Sequence, residues 1–306
     1  MNKVISLLGP TASGKTEFAI FLKKNFDLEI ISIDSVMIYK YFNIGTAKPN
    51  ESILKKIPHK MVNIIEPFEK FSVAKFYSNL LDCINEAHSK GKVPILVGGS
   101  MMYFKTFFSG GLSDLENVSE STKKKVQEIF ASKDLENIYD FLKKLDPLIA
   151  KNIHPNDKYR IARMLEIYFS NNEIPSIALS RYSRNVQCFN NLNLSIIPND
   201  RTLLHNNIEK RTNSMIDMGL IDEVLDLRNK YPKQFLPAMS SIGYKQVNQY
   251  LLNDIDLLSM KSKIMAATRQ LAKRQITWLR HLDATTVYTS IDYDNIESRV
   301  RDFLKS

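Results

Sequence analysis

LLGPTASGKTEF, residues 7–18, decides the fold. Within it, Gly9–Thr16 fits G-x-x-x-x-G-K-S/T in full. Such a loop works through its backbone. Successive N–H groups turn inward on phosphate oxygens, and the N-terminus of the following helix adds positive potential. Gly9, Pro10, Thr11, Ala12, Ser13, Gly14, Lys15 and Thr16 are therefore the candidate diphosphate-binding residues. Lys15 adds a point charge between two phosphates, and the Thr16 hydroxyl is suited to Mg²⁺. The pattern carries this meaning only between a strand and a helix. Val4–Leu8 is a short apolar run halted by Gly9-Pro10, as a buried parallel strand is. Glu17–Lys24 follow with helical spacing, placing Phe18, Phe21 and Leu22 on one side.

The same alternation continues outward. Glu29–Ile33 is a second apolar strand, ending at Asp34. Ser72–Ser89 reads as a helix with Ala74, Leu80, Leu81, Ile84 and Ala87 inward, and Val93–Val97 as a third strand ending at Gly98-Gly99. Strands alternating with helices predict a parallel α/β sheet flanked by helices, of the P-loop NTPase-like kind. From about Ser113 the texture changes, and no β-rich run returns until Leu192–Ile197. Ser121–Phe130, Leu135–Leu145 and Asp157–Phe169 are charged and amphipathic. They predict a helical insertion over 114–191 within a core built from 1–113 and 192–306.

Beyond the insertion, Arg201–Asn229 and Met260–Leu282 read as long helices. At ~100° per residue, Arg269, Lys273 and Arg280 of the second fall in a narrow arc. Ile264, Ala267, Leu271, Trp278 and Leu282 fall opposite, and Ile276 sits out of pattern on the basic side. One face is expected to pack while the other presents cations to solvent or phosphate. Phosphate contacts of that kind give affinity without sequence information.

Composition narrows the function classes. The 306 residues are 44% hydrophobic and 25% charged, as in an ordinary globular protein with a real core. Lys and Arg total 42 against 33 Asp and Glu, a net charge of +9. That excess fits a polyanionic partner such as nucleic acid, and equally a merely basic enzyme. The two cysteines, Cys83 and Cys188, form no CxxC, and the five histidines show no HxxxH or HExxH spacing. A disulfide framework and a zinc site are not expected. The N-terminal MNKVISLLGP lacks the features of a signal peptide, and no apolar run reaches the ~18 residues of a membrane span. The expected location is a reducing cytoplasm, with no membrane partner.

The phosphate loop does not identify the donor. An NTPase adds an apolar strand ending in a Mg²⁺-binding Asp. Here VPILV ends in GGS, and Asp34 leads into SVMIYKYFNIGTAKP, which is unusual for that role. The Arg-rich lid of a small-metabolite kinase is not evident. The residues leave a pyrophosphate-handling enzyme whose leaving group is open. Asp34 itself reads equally as a general base, as a cap of the next segment, or as a Mg²⁺ ligand through water.

The chain resembles the bacterial tRNA dimethylallyltransferases. The resemblance rests on GPTASGKT (9–16), DSVMIYKYFNIGTAKP (34–49), VGGSMMYFK (97–105), NDKYRIARMLEIY (156–168), RTNSMIDMGLIDEV (211–224), SIGYKQ (241–246) and TRQLAKRQITWLR (268–280), which lie in order along nearly the whole chain. It implies transfer of a five-carbon group from dimethylallyl diphosphate to the exocyclic amine of the adenosine on the 3′ side of the anticodon. It also implies that this base is flipped into a channel that excludes water, the donor entering from the other side. Asp34 becomes the candidate general base, since the lone pair of an adenine amine is delocalised and a carboxylate that takes its proton helps. Arg211 becomes a diphosphate clamp, because a bidentate guanidinium stabilises charge on the leaving group. Ser100 stands where the family usually has Thr and keeps its hydroxyl, for the base or the diphosphate; capping the next helix is the competing role.

The resemblance further implies that Asp34, Ser35, Val36, Met37 and Ser100 lie near the target base. Met37 departs from the family's usual Gln; it can pack against a base edge but not read it by hydrogen bonding. Tyr159, Arg160, Ile161, Ala162 and Arg163 are implied to meet the anticodon stem-loop, and Gly243, Tyr244 and Lys245 to lie near the tRNA; a structural turn explains Gly243-Tyr244-Lys245 equally well. Arg160 and Arg163 share a helix face, which an ion-pair face with Asp157 and Glu166 would also explain. Lys123 is a further phosphate contact or a solvated helix end. The expected cofactor is Mg²⁺, the expected partners are a tRNA anticodon stem-loop and dimethylallyl diphosphate, and the expected state is a monomer. Three other functions stay open: prenylation of free AMP, ADP or ATP, a P-loop small-molecule kinase, and a non-catalytic RNA-binding module. The basic helix face and the insertion argue against the first; the complete loop with Asp34 argues against the last.

Overall fold

The computed structural model describes residues 2–111, 118–181, 189–282, 286–288 and 292–306. Strands β1 (Lys3–Leu8), β2 (Leu28–Ile33), β3 (His59–Lys60), β4 (Val93–Gly98), β5 (Asn190–Ile196) and β6 (Thr286–Tyr288) form one sheet in the order β3-β2-β4-β1-β5-β6. Every pairing is parallel. The central strands are buried on both faces, with Val4, Ile5, Leu7, Leu8, Ile95 and Leu96 fully enclosed. That is why they read as unbroken apolar runs rather than as alternations.

By contacts between elements, the chain divides into Met1–Lys105 with Cys188–Ser306, and Thr106–Gln187. In the first unit, α1 (Lys15–Asn25), α2 (Glu51–Lys56), α3 (Val73–Ser89) and α4 (Met101–Phe108) follow the early strands, α4 running on past Lys105. Phe18, Ala19 and Leu22 of α1 pack on the sheet with Ile5, Leu7 and Leu194. The second unit holds α5 (Glu120–Ser132), α6 (Leu135–Leu145), α7 (Pro147–Ala150), α8 (Lys158–Asn171) and α9 (Pro175–Arg181). Its own core is Val126, Ile138, Leu142, Ala150, Ile153, Ile161 and Leu165. Buried Asp146 caps α7 by accepting from Ile149 N–H and accepts from Ser176 N–H with its other oxygen, so each of its carboxylate oxygens has a donor.

The chain then returns to the first unit through α10 (Arg201–Asp217), α11 (Leu220–Lys230), a 3₁₀ turn at Pro237–Ser240, α12 (Tyr244–Leu251), α13 (Leu257–Leu279) and α14 (Tyr293–Lys305). The single helix expected over Arg201–Asn229 is two. Gly219, at φ 95°, turns the chain out of the helical path between α10 and α11. The buried face of α13 is Met260, Ile264, Ala272, Gln275 and Leu279, rotated from the expected stripe; Ala267, Leu271 and Trp278 flank it. Ile276 is explained by the same rotation, since it packs with Leu204 and Ile208 of α10. Cys83 is a free, half-buried thiol, and Cys188 lies outside the described residues.

Candidate active site

The strand order sets β2, β4 and β1 side by side, so the segments leaving their carboxyl ends are neighbours. Those segments are the phosphate loop after β1, Asp34 after β2, and Gly98-Gly99-Ser100 at the end of β4. The carboxyl edge of a parallel sheet is where such folds bind ligands. In the loop, Ala12 (φ 62°) and Gly14 (φ 82°) interrupt the right-handed path, and α1 begins at Lys15. Alternation of this kind turns N–H groups into a concave anion nest at a helix N-terminus. The buried Ser13 hydroxyl has no hydrogen-bond partner among the described residues.

Lys15 Nζ donates to the Pro10 carbonyl at 3.0 Å, which folds the ammonium back over the loop. Some of its surface stays accessible, yet packed protein around it makes burial the main influence on its proton. Burial lowers its pKa to about 8, the Arg211 charge acts the same way, and Asp34 and Glu17 oppose. Arg211 comes from α10, which also reaches the loop through Asn207, donating to Ala12 O at 3.5 Å. Burial pulls the Arg211 pKa down, with Asp34 and Glu17 again opposing. Lys15, Arg211 and Asp34 therefore share one electrostatic environment. Among the described residues, neither cation is held in an ion pair. Two desolvated positive charges without a bonded acid are costly alone and suit an arriving polyanion.

Asp34 is oriented by the backbone. Its Oδ1 accepts from Val36 N–H at 2.8 Å and Met37 N–H at 3.1 Å, while Oδ2 takes neither bond. The capping role and a second, presented oxygen thus coexist in one carboxylate. Ser100 lies beside it: its N–H donates to Ile33 O at 3.3 Å, and its hydroxyl accepts from Ser35 N–H at 3.2 Å. This approach requires glycine at position 98, where a Cβ would collide with the Ile33 carbonyl. Met37 turns inward, its Sδ accepting from the Ser32 hydroxyl at 3.7 Å, and Val36 packs into a core cluster with Phe42 and Tyr244.

A staple missed by sequence reasoning holds the segment after Asp34. Glu223 of α11 accepts from Asn43 N–H at 3.0 Å, Ile44 N–H at 2.9 Å and Gly45 N–H at 3.4 Å. Tyr244 donates its hydroxyl to Glu223 at 2.6 Å. Lys48 donates to Tyr39 O, Asn43 Oδ1 and Asn63 Oδ1, and burial pushes its pKa down to about 8. Tyr244 is therefore a core residue, fully enclosed, and is corrected from the expected RNA-proximal surface. Gly243 is buried as well, whereas Lys245 is exposed.

The remaining expected residues sort by exposure. On α8, Tyr159 is 82% exposed, and Ile161 is fully buried, so its expected contact with RNA is withdrawn: it belongs to the core of the helical unit. Ala162 is half-buried and packs against that core. Arg160 pairs with Asp157 at 3.0 Å and Arg163 with Glu166 at 3.0 Å, and Lys123 pairs with Glu120 at 2.7 Å. Lys273 of α13 and Arg280 at its C-cap are exposed, and Arg269 is half-buried with an Nε that has no hydrogen-bond partner among the described residues. Arg201 and His205 of α10 join this basic side; Arg201 Nε donates to His205 Nε2 at 3.5 Å. Burial and the charges of Arg269 and Arg201 lower the His205 pKa. No spacing rule could have paired residues on α10 with residues on α13.

A phosphate nest, two desolvated cations and an oriented carboxylate on the carboxyl edge of a parallel sheet define a P-loop α/β enzyme for a phosphorylated substrate. Residues 37–282 match the family described as IPP transferase. The chain is 42% identical over 292 residues to a tRNA dimethylallyltransferase of Legionella pneumophila (strain Corby), covering 95% of this chain and 93% of that one. It is 40% identical over 309 residues to a tRNA dimethylallyltransferase of Coxiella burnetii (strain Dugway 5J108-111), covering 100% and 99%. Among solved structures, the tRNA isopentenylpyrophosphate transferase of Bacillus halodurans is similar with a TM-score of 0.71 and 30% identity, covering 100% of this chain and 96% of that one. A eukaryotic dimethylallyltransferase acting on tRNA is similar with a TM-score of 0.85 and 28% identity, covering 100% and 80%. The chain belongs to the IPP transferase family.

Proposed function

We propose that the protein transfers the dimethylallyl group of dimethylallyl diphosphate to the exocyclic amine of the adenosine 3′-adjacent to the anticodon in tRNA, releasing diphosphate. The observation that carries this reading is the shared environment of Lys15, Arg211 and Asp34. As the allylic C–O bond breaks, its electron pair leaves with the diphosphate, whose growing charge the loop N–H groups, Lys15 and Arg211 stabilise. The amine nitrogen forms the new bond to carbon, and Asp34 takes the displaced proton on the oxygen not engaged by Val36 and Met37. Ser100, bonded to Ser35 beside Asp34, offers its hydroxyl to the same substrate.

Among the described residues, no three or more His, Cys, Asp or Glu side chains form a metal cage. Mg²⁺ does not need one. It takes one or two protein oxygens and completes its octahedron with phosphates and water, and the Thr16 hydroxyl in the first turn of α1 is a donor of that kind. When bound, Mg²⁺ neutralises charge on the diphosphate. RNA contact is assigned to exposed side chains of each unit: Lys245, Lys273 and Arg280 with Arg269 in the first, and Tyr159 and Arg160 in the second. Among the described residues, no helix is long and apolar enough to cross a membrane. The protein is read as a cytoplasmic monomer.

A free-nucleotide acceptor is not favoured, since the relatives named above carry tRNA in their names and a mononucleotide has no use for a basic helix face. The test is to incubate the purified protein with dimethylallyl diphosphate and, separately, an anticodon stem-loop RNA, AMP and ATP. Mass spectrometry should show the five-carbon group on the stem-loop alone. Its appearance on AMP or ATP instead would overturn the reading.

A further inference from the structure

Gln275 of α13 is buried, 7% exposed, and its amide joins two strand-end loops. Its Oε1 accepts from Thr11 N–H at 2.9 Å, and its Nε2 donates to Gly99 O at 2.8 Å. The orientation of the amide is dictated, because a backbone N–H only donates and a backbone carbonyl only accepts. No other uncharged side chain of this length supplies both. The fit is tight: a Cβ at Gly99 would stand 2.5 Å from Nε2 and 3.2 Å from Gly9 O.

Thr11 belongs to the phosphate loop. Gly99 precedes Ser100, whose hydroxyl accepts from Ser35, the neighbour of Asp34. A run of contacts, Thr11–Gln275–Gly99–Ser100–Ser35, therefore crosses from the diphosphate cradle to the carboxylate. The packing of α13 does not depend on it, since Met260, Ile264, Ala272 and Leu279 bury the same face. We infer that Gln275 is a positioning residue that sets the spacing between the diphosphate cradle and the Asp34–Ser100 side, and so governs the transfer step rather than the binding of either substrate. The inference rests on the prenyl-transfer reading and adds to it a residue that touches neither substrate.

The test compares wild type with Gln275→Met, which keeps length and volume but removes both bonds, and Gln275→Asn, which keeps the amide on a stem too short to span. Thermal melting, Kd for inorganic pyrophosphate, Kd for an anticodon stem-loop and single-turnover transfer at saturating substrates are measured on each. Misplacement of reacting groups by ~1 Å costs on the order of 10²-fold in rate, so Gln275→Met should lose about that much at saturation while both Kd values stay within about threefold. Gln275→Asn should also be slowed at saturation, and it carries the test if Gln275→Met does not fold. A transfer rate within about twofold of wild type at saturation, or a loss that saturation restores, would overturn the inference while leaving the parent reading intact. A wild type that prenylates no acceptor would overturn both.

Discussion

The strand-end site and the helical unit Thr106–Gln187 treat charge in opposite ways. In the helical unit each cation singled out has an acid three residues away: Lys123 with Glu120, Arg160 with Asp157, and Arg163 with Glu166. Each pair is made three residues apart along a single helix, most of them stay in contact with water, and exposed pairs of this sort are worth about 0–1 kcal/mol. At the strand ends, Lys15 and Arg211 are desolvated without a bonded acid among the described residues, and of the two carboxylates that act on them, Asp34 and Glu17, Asp34 is held by backbone N–H groups. Locally neutralised charge makes a soluble surface that loses little when a residue is changed. Desolvated, unneutralised charge makes a site whose stability and function pull in different directions.

The widest gap between the two regions should appear with Lys15→Ala. Removing this cation is expected to lower transfer by ~10²–10³-fold, read as kcat with stem-loop RNA, and to leave RNA affinity unchanged. The same residue fixes the pH dependence. Its folded pKa, about 8, lies below the ordinary 10.5, so between these values the unfolded chain holds more protons and the Lys15 contribution to stability rises with pH. Diphosphate binding needs the protonated form and should weaken as pH passes upward through about 8, as calorimetry with pyrophosphate would show. Lys15→Arg should remove that titration.

A smaller effect is expected from the staple. A Cβ at Gly45 would collide with the Tyr244 ring, so Gly45→Ala should cost ~1–3 kcal/mol in urea unfolding, as overpacking does. It should also slow transfer, because Glu223 and Tyr244 hold the segment that leads away from Asp34. Smaller again is Lys273→Ala, which should weaken stem-loop binding and reduce the slope of log K against log salt by about one phosphate contact, without touching pyrophosphate affinity. If Arg160→Ala weakened binding more than Lys273→Ala, a cation already paired with Asp157 would carry more of the RNA contact than an exposed one of α13, and the expectation that locally neutralised charge loses little on substitution would fail.

What the sequence made legible follows from range. The phosphate loop, the strand ends and Asp34 lie in short contiguous segments, each with a pattern of its own, and the chain folds them as read. The two-helix break needed the weight of Gly219, whose single positive φ outvotes a helical pattern on either side. The face of α13 was misjudged because Gln275, polar by type, is buried by two backbone bonds from loops more than a hundred residues away in the chain. Glu223 with Tyr244, and Arg201 and His205 with Arg269, are likewise pairs made by the fold. Ile161 and Tyr244 lay within segments of functional resemblance, and a motif does not say which of its members face inward.

The account stands on Asp34 acting as a base in the same environment as the diphosphate cradle. The direct test is single-turnover transfer by Asp34→Asn at saturating dimethylallyl diphosphate and stem-loop RNA, because Asn keeps an oxygen for the Val36 and Met37 N–H groups while losing the capacity to take a proton. The predicted result is a rate lower by ~10²–10⁴-fold with both substrates still bound. Transfer at the wild-type rate would contradict it.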